Sequence, residues 1–432
     1  MQKSMTVDVV IIVEHLNREV ESALLLEEEL QHRGFSVTVV SKGWNEGPAS
    51  VHLRPKVVVT PWCYDSFDID ALRGYRGGFS DSSFYIVDLH SEQVTSQDGM
   101  SFVLPSGAAR NAEHMCWGDF FKDALLEDGI APKSVHVVGS NRLDPFRSEY
   151  RYLSASKEQL ALKHSLDRDR KWVLVVGNYS YAFKTEEELA GIEARGVKNA
   201  RLNASVARET YNYVLKWAEG LAEQDYADEI EFIYRPHPSE PVSRKLLDIE
   251  SSHPSFHVIK DGPIRDWFLN SELAVMWNST SSVEAAYAGL PVLALRPVEI
   301  PDTLRFDLLE TIEQIASFED LDGMVRLAAK NELPPLNEAF REAIGYYYHK
   351  GEKSATVSIA DVIQELISRG KGPFTCSRGA FYGLRKDVAY VLKELLYKTG
   401  LSKRIEKFRT LSEDHISARE LQCKREAVYG RR

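Results

Sequence analysis

The 432-residue sequence has only four cysteines, widely scattered and without a CxxC pair. This pattern offers no zinc site and is typical of a reducing compartment. No apolar run reaches the roughly 20 residues that span a bilayer. The N-terminus passes directly into a strand pattern without a small-residue cleavage site, so we expect no signal peptide and predict a cytoplasmic protein.

Two phosphate-binding fingerprints are also missing. The first strand-to-helix turn reads VEHLNRE and lacks GxGxxG, which argues against a dinucleotide cofactor in this half. The hydroxyl-rich loop at residues 278–282 lacks the lysine of a P-loop. The sequence shows no internal repeat.

Length and composition indicate a globular protein of two domains. An apolar share of 44% with 27% charged residues is ordinary for such proteins, and 432 residues exceed one usual core. The net charge of −11 is uneven: from Lys371 onward there are 15 basic and 7 acidic residues, against 38 and 57 before it. An acidic body argues against a nucleic-acid partner, and a basic tail indicates an anionic surface or partner.

The chain alternates short apolar strands with helices, which predicts an α/β fold with parallel, doubly wound sheets. Residues 1–150 form one Rossmann-like series, and residues 165–356 form a second. A helix at 357–370 follows, and residues 371–432 are a basic extension with helical spacing over 379–408. We expect the last twenty or so residues to be polar and mobile.

Two stretches carry most of the functional signal, FIYRPHPSE (232–240) and MWNSTSSVEAAYAGLPVLAL (276–295). Each reads as a buried strand running into a loop, and the second loop then opens a helix. Loops at the carboxyl ends of parallel strands bind ligands, and a hydroxyl-rich helix entrance suits phosphate. A cation and an imidazole from the neighbouring strand would meet the same anion. The predicted nucleotide-phosphate site comprises Arg235, His237, Asn278, Ser279, Thr280, Ser281, Ser282 and Glu284.

Each of these residues also has a simpler interpretation. His237, between two prolines, could bond local backbone as a turn histidine, and Arg235 could pair with an acid. The 278–282 run could be a helix N-cap with spare hydroxyls, although four consecutive hydroxyl residues exceed what capping needs. Glu284 could be an ordinary first-turn acid favoured by the helix dipole.

In five ordered blocks the chain resembles GT-B glycosyltransferases, particularly the bacterial surface carbohydrate biosynthesis group. The resemblance covers roughly residues 80 to 370. Two of the blocks also recur in transferases of CMP-activated acidic sugars such as Kdo and in polyglycerophosphate transferases. The blocks are VDLHSEQ (87–93), CWGDFFKDALLEDG through VVGSNRLD (116–144), VLVVGNYSYAF (173–183), FIYRPHPSE (232–240) and DGPIRDWFLNSELAVMWNSTSSVEAAYAGLPVLALRP (261–297).

The resemblance implies two Rossmann-like domains facing across a cleft, with the acceptor on the N-terminal domain and the nucleotide on the C-terminal one. It implies no metal and no cofactor, because helix dipoles and basic side chains stabilise the departing phosphate. The acid matching Glu284 would hold the ribose hydroxyls, and Asn178 could border the donor. The 357–370 helix would cross back to the first domain.

A carboxylate should serve the reacting carbon, as a base or as a nucleophile. Asp88, His90 and Glu92 follow a buried strand of the acceptor half, and Glu92 is favoured because the family usually places an acid there. The family commonly has glycine next, where this chain has Gln93, and Glu92 could equally be a solvated loop acid. We expect Asp144 to be structural.

The resulting hypothesis is a metal-independent transferase that moves a sugar from a nucleotide donor to a surface polysaccharide or lipid-linked glycan. A CDP-polyol phosphotransferase of teichoic-acid type and a nucleotide-sugar 2-epimerase are the alternatives. The basic extension either covers the body as a solvated helical pair or lies on an anionic membrane, which would make the protein peripheral. Asp68-Ile69-Asp70 matches a metal-binding DxD, but an N-cap is the favoured interpretation.

Overall fold

A computed structural model describes residues 5–14, 16–75, 83–93, 103–194, 196–375, 380–399 and 418–429. They form two compact units. Unit 1 holds the described residues up to Gln93, those of 103–145 and those from Tyr346 onward. Unit 2 runs from Phe146 to Gly345.

Strands are short in both units. In chain order they are β1 Met5–Thr6, β2 Val9–Val13, β3 Val37–Ser41, β4 Leu53–Arg54, β5 Val57–Thr60, β6 Ser83–Asp88, β7 Glu113–Cys116, β8 Val135–Val137, β9 Lys171–Val176, β10 Ile230–Arg235, β11 Phe256–Val258, β12 Leu273–Met276, β13 Val292–Leu295, β14 Glu313–Ile315 and β15 Phe374–Thr375.

Helices alternate with the strands. In chain order they are α1 Leu16–His32, α2 Glu46–His52, α3 Ser66–Leu72, α4 Asp119–Glu127, α5 Lys157–His164, α6 Glu186–Ala194, α7 Ala200–Glu219, α8 Arg244–Ser252, α9 Ile264–Phe268, α10 Ser281–Tyr287, α11 Asp307–Glu310, α12 Phe318–Lys330, α13 Glu338–Tyr347, α14 Ala355–Arg369, α15 Ala380–Lys398 and α16 Ala418–Tyr429. None of these described helices combines the length and apolar character needed to cross a membrane.

Unit 1 contains a sheet in the order β3-β2-β5-β6-β7-β8, with every neighbouring pair parallel. β15 pairs antiparallel with Ser83 and Phe84 at the start of β6, and β1 pairs with β4. All five residues of β2 are buried, as expected for a central parallel strand covered on both faces. α1 ends at His32, and Gly34 follows with φ +86°, the left-handed conformation that commonly ends a helix.

Unit 2 contains a fully parallel sheet in the order β11-β10-β9-β12-β13-β14. Numbered from its first strand, this is the 3-2-1-4-5-6 order of a dinucleotide-binding Rossmann domain. α7 buries Ala207, Tyr211, Val214 and Ala218, at helical spacing, in the same core as strand residues such as Phe232. The strand order reverses between β9 and β12, which creates the crevice where such sheets bind ligands.

The C-terminal segment belongs structurally to unit 1. α14 begins at a fully capped N-terminus: Ser354 Oγ accepts from Val357 N, and both Asp144 carboxylate oxygens accept backbone N–H groups of Ala355 (2.9 Å) and Thr356 (2.6 Å). These three N–H groups are among those that a helix cannot satisfy by itself. Asp144 therefore has the structural position that we expected for it.

The prediction of a mobile, polar C-terminus is wrong for α16. This helix is anchored to α1 by Arg425, whose Nε and Nη2 donate to the two carboxylate oxygens of Glu27 at 2.8 and 2.7 Å. Tyr429 Oη donates to the same carboxylate at 2.6 Å. Glu27 is 1% exposed, so removing Arg425 would leave a buried carboxylate without its ion-pair partner. The sequence pattern missed the contact because the anchoring groups are polar.

We predict that Asp144→Ala destabilises the protein by about 1–3 kcal/mol, because two buried helix N–H groups lose their acceptor. Urea unfolding followed by circular dichroism measures the change. Asp169→Ala, at a carboxylate whose side chain is 86% exposed, serves as the control and should stay within about 0.5 kcal/mol of the parent. Equal midpoints for the two variants would contradict the capping role.

Candidate functional site

The strand ends of unit 2 bring the predicted nucleotide residues to one edge of the sheet. Asn178 follows β9, His237 follows β10, and the 278–282 loop follows β12. All three strands are parallel, so these loops leave the same carboxyl edge. Asn178 and the 278–282 loop flank the point between β9 and β12 where the strand order reverses.

One part of the prediction needs correction. We placed the imidazole on the strand next to the hydroxyl loop, but β9 lies between β10 and β12. The two loops are therefore about 10 Å apart across two strand spacings. Local sequence does not show which strands lie on either side of β9. The position of β9 between β10 and β12 was therefore not predicted.

Asn178 fills the gap between the two loops. Its Nδ2 donates to the backbone carbonyl of Asn278 at 2.5 Å. Asn278 is itself held, because its Nδ2 donates to Leu304 O at 2.7 Å and its Oδ1 accepts from Arg296 Nη2 at 3.3 Å. These bonds fix the start of the hydroxyl loop before any ligand binds.

His237 lies exposed in a tight turn. Its Nδ1 accepts the backbone N–H of Ser239 at 3.2 Å and lies 2.7 Å from Ser239 Oγ. Burial and the charge of Lys260 lower the pKa of His237, so the ring is neutral at pH 7. With Nδ1 as an acceptor, the neutral ring carries its proton on Nε2, which can donate to a ligand. The turn role and a ligand role are thus compatible.

The turn is tied to the β9 loop by a buried carboxylate. Glu240 accepts from Tyr234 Oη at 2.6 Å and from Tyr179 N at 2.8 Å, and it is 1% exposed. Gly177 permits this approach, because a Cβ there would lie 2.8 Å from Glu240 Oε2. The His237 turn and the Asn178 loop are therefore joined through the buried Glu240.

The hydroxyl loop divides into a capping part and an exposed part. Ser279 Oγ accepts from Ser281 N at 3.3 Å, which resembles the simpler capping interpretation. Thr280 is exposed and Ser281 partly exposed, whereas Ser282 is fully buried with a hydroxyl that makes no hydrogen bond. α10 has only seven residues, so its dipole contributes less than we expected. Glu284 lies partly buried in its first turn.

Arg235 is engaged elsewhere. It is 7% exposed, and its Nη1 and Nη2 donate to the backbone carbonyls of Asp261 and Gly262. Its guanidinium also lies 5.4 Å from the Trp267 ring centroid. Binding phosphate through Arg235 would require these bonds to break, so the structure favours the simpler interpretation of a structural arginine, although with carbonyls rather than an acid.

Two other cations at this edge were missed from the sequence. Lys260, two residues after β11, is exposed and donates to Glu240 O at 3.0 Å. Arg296 directly follows β13, and its Nε and Nη1 are buried without a partner while Glu310 Oε1 lies 3.6 Å from Nη2. Burial lowers the pKa of Arg296 to about 10, which leaves it charged at pH 7. Both residues could have been found from the sequence, because each is a cation that closely follows a predicted strand.

In unit 1, Asp88 and His90 form a buried cluster with His114. His90 Nε2 lies 2.9 Å from His114 Nδ1, and His90 Nδ1 lies 3.6 Å from Asp88 Oδ2. Asp88 is 0% and His90 2% exposed, and His90 has φ +44°, a rare conformation for a non-glycine residue. Ligand atoms of the three residues lie within 4.8 Å of one another, so they could hold a metal ion.

Burial controls the charges of this cluster. It raises the pKa of Asp88 to about 8, against two backbone hydrogen bonds that lower it, and it lowers the pKa of His114 to about 4. The pKa of His90 is also lowered, first by burial and then by His114. Neutral forms of all three groups therefore dominate at pH 7, which suits a hydrogen-bonded structural network.

Glu92 differs from these neighbours because it is exposed. The following Gln93 is 1% exposed and ties β6 to β7: its Nε2 donates to Met115 O at 2.8 Å, and its Oε1 accepts from Trp117 N at 2.7 Å. This clamp explains why the chain has glutamine where the family commonly has glycine. The three predicted catalytic residues thus lie along one loop but in different environments.

A second group of polar residues at the carboxyl edge of unit 1 was also missed. Trp62 stacks on Tyr64 with ring centroids 5.0 Å apart and donates through Nε1 to Glu14 Oε2 at 2.5 Å. Lys42 lies over the Trp62 ring, beside a cavity of about 90 Å³. These residues follow β2, β3 and β5. Their positions shortly after strands could therefore have identified them from the sequence.

The Asp68-Ile69-Asp70 motif lies within α3. The N-cap is Asp65, which accepts from Phe67 N and Asp68 N, while Asp68 accepts from Tyr64 N at 2.8 Å. The favoured N-cap interpretation of this motif is therefore wrong: the motif lies inside the helix, and the capping residue is Asp65, three positions earlier.

The structure is similar to solved structures of other proteins. One is a Listeria monocytogenes protein assigned as a UDP-N-acetylglucosamine 2-epimerase, with 15% sequence identity, 85% of this chain and 99% of that chain covered, and a TM-score of 0.53. Another is a point variant of the wall teichoic acid polymerase TagF, with 10% identity, 85% and 90% covered, and a TM-score of 0.51.

These similarities establish the fold. The chain has an α/β fold of GT-B type with a helical C-terminal region, which confirms the predicted fold class. No family model matches the sequence, and no curated protein matches it. At such low identity the shared fold does not fix the activity.

We predict that Asp88→Asn gains thermal stability relative to the parent as the pH rises from 5 to 8. An acid whose pKa rises from 3.8 to about 8 on folding stabilises the fold fully below pH 3.8, and this contribution is lost as the pH approaches 8. Asparagine cannot ionise, so the variant keeps the neutral network. Melting temperatures at the two pH values measure the effect.

Asp169→Asn, at an exposed carboxylate, is the control. Its melting temperature should differ from that of the parent by the same amount at both pH values. A constant difference between Asp88→Asn and the parent across this range would show that Asp88 is ionised in the fold.

Proposed function

We propose that the protein is a transferase that binds a nucleotide-activated donor at the β9–β12 crevice of unit 2 and transfers its sugar to a glycan. One observation carries this proposal: Asn178 and the 278–282 loop flank the point where the strand order of a Rossmann-ordered sheet reverses, and the His237 turn follows the next strand at the same edge. Ligands of open α/β sheets bind at such points.

The donor phosphate is the group that this edge suits best. His237 offers Nε2–H, Thr280 and Ser281 offer hydroxyls, and Lys260 and Arg296 supply positive charge. Across about 10 Å, a nucleoside diphosphate or a nucleoside monophosphate with its sugar can reach both loops. Glu284 would accept the ribose hydroxyls, and Asn178 would border the donor.

The reaction would break the bond between the anomeric carbon and a phosphate oxygen, and form a bond from that carbon to an acceptor hydroxyl. The departing phosphate gains negative charge, which the cations and N–H donors would stabilise without a metal ion. The acceptor hydroxyl loses its proton to a base. Glu92 is our candidate because it is exposed, whereas Asp88 and His90 are buried and neutral.

The acceptor would bind at the carboxyl edge of unit 1. The stacked Trp62 and Tyr64 offer an aromatic surface for a sugar ring, and Glu14 and Lys42 offer hydrogen-bonding groups around it. A surface polysaccharide or a lipid-linked glycan fits this surface. The basic segment 371–432 would bring the protein to an anionic membrane from the cytoplasmic side.

A CMP-activated ulosonic acid such as Kdo is the donor that we propose in detail. Its phosphate and its carboxylate are attached to the same carbon and form one compact dianionic group, for which Arg296 beside the 278–282 loop would supply positive charge. The alternatives use the same site differently: a CDP-polyol phosphotransferase moves phosphate, and a nucleotide-sugar 2-epimerase changes the donor without an acceptor.

His237→Ala should reduce transfer by at least about 100-fold while leaving the melting temperature unchanged, because the side chain is exposed and bonds only within its own turn. Product formation from labelled donor measures the effect. His32→Ala removes an exposed histidine in unit 1 and should keep full activity. Full activity of His237→Ala would overturn the assignment.

A nucleotide panel tests the donor class directly. We expect CMP or CDP to raise the melting temperature more than UDP or GDP, with EDTA present, and Arg296→Ala to abolish the shift. The product mass then separates the reactions: a sugar added to the acceptor supports transfer, an added polyol phosphate supports the phosphotransferase, and donor converted without acceptor supports the epimerase. No shift with any nucleotide would contradict all three.

A further inference from the structure

α15 docks onto unit 1 by its polar side. Trp44 Nε1 donates to Glu394 Oε1 at 2.7 Å, and the Trp44 ring meets Tyr397 edge-on at 5.6 Å. Lys393 donates to Gly43 O. Near the other end of the helix, His52 Nε2 lies 3.1 Å from Asp387 Oδ1.

The opposite side of α15 is apolar and open to solvent. Val388, Val391, Leu392 and Leu395 are 51, 63, 55 and 59% exposed. Their spacing of i, i+3, i+4 and i+7 places them in one continuous stripe along the helix, here named the α15 stripe. Single exposed apolar residues are common, but a contiguous stripe is typical of a binding surface.

This orientation is the opposite of that of an ordinary amphipathic helix packed on a protein surface. Such a helix buries its apolar side and leaves its charges in water. The polar groups of α15 instead form hydrogen bonds with other parts of unit 1, and its aliphatic side chains face the solvent. The stripe therefore needs an apolar environment that the described residues of unit 1 do not provide.

The charges of α15 indicate what that environment is. Both of its acids, Asp387 and Glu394, bond residues of unit 1. Among the described side chains of α15, the exposed cations are Arg385 and Lys398, which lie at the two ends of the stripe. Lys398 Nζ also lies 3.9 Å from Glu394 Oε2. An apolar strip with cations at its margins and acids turned away matches an anionic lipid surface, where aliphatic groups enter the acyl boundary and long cations reach the headgroups.

A second copy of the chain fits this surface less well. Two stripes packed antiparallel about a twofold axis would bring Arg385 of each copy toward Lys398 of the other. Like charges at both margins oppose that pairing. The excess of 15 basic over 7 acidic residues after Lys371 also favours an anionic surface over self-association.

We infer that α15 is a membrane-contacting helix that binds anionic phospholipid through the α15 stripe, with Arg385 and Lys398 at the headgroups. The inference rests on the proposed function and adds a partner to it, because a lipid-linked glycan acceptor would lie at a membrane surface. The contact itself involves neither nucleotide nor acceptor, so it is measured separately.

The test is flotation of the full-length protein with phosphatidylcholine vesicles, with and without phosphatidylglycerol. We expect binding to the anionic vesicles that weakens at high salt. Val388→Ser/Val391→Ser/Leu392→Ser/Leu395→Ser should reduce binding at least about 10-fold, because four aliphatic groups no longer enter the bilayer. Arg385→Glu/Lys398→Glu should reduce it about fivefold or more for each cation changed.

The matched control removes four exposed aliphatic side chains from unit 2: Leu162→Ser/Leu202→Ser/Val242→Ser/Leu247→Ser. This variant should float like the parent. The stripe variant should retain the parent's melting temperature and its nucleotide-induced shift, which separates a failure of membrane binding from a failure of the proposed function.

Two results would overturn the inference. One is equal flotation of the parent and the stripe variant, or no flotation of either. The other is light scattering that shows a dimeric parent and a monomeric stripe variant, which would assign the stripe to a second copy of the chain.

Discussion

The parallel pairing of β9 with β12 is the constraint on which the candidate site depends. It joins the first and fourth strands of unit 2, so the connections on either side must leave in opposite directions and open a crevice at the carboxyl edge. Asn178 and Asn278 then meet across that opening. The site is thus a product of strand order, and its polar residues are supported by backbone bonds and by Glu240 rather than by mobile loops.

Apolar periodicity predicted much of the fold. Val9–Val13 and Leu273–Met276 are continuous apolar runs and were identifiable as buried strands. Glu113–Cys116 was not, because Glu113 and His114 interrupt the apolar pattern and are buried only through His136 and His90. The exposed edge strand Glu313–Ile315 also lacks a pattern. Strand order could not be read locally, which is why β9 was not placed between the two loops.

The site was predictable to a similar degree. A hydroxyl run and a histidine between prolines are visible in the sequence. The two carbonyls that occupy Arg235, and the burial of Arg296 Nε and Nη1 without a partner, depend on distant parts of the chain. The same applies to α15: helical spacing predicted the helix, whereas its inverted orientation depends on Trp44 and Gly43, more than 300 residues away. Local pattern determines which residues share a face, and tertiary packing determines where that face points.

The buried pairing of Glu27 with Arg425 has a consequence for biosynthesis. Unit 1 is assembled from segments on both sides of unit 2, whereas the described part of unit 2 is the single segment Phe146–Gly345. On the ribosome, unit 2 has its complete sequence before the segment that supplies α14, β15 and Arg425 has been synthesised. Unit 1 must therefore wait with Glu27 lacking its partner Arg425 and with the start of β6 lacking its partner β15, the kind of intermediate that chaperones protect.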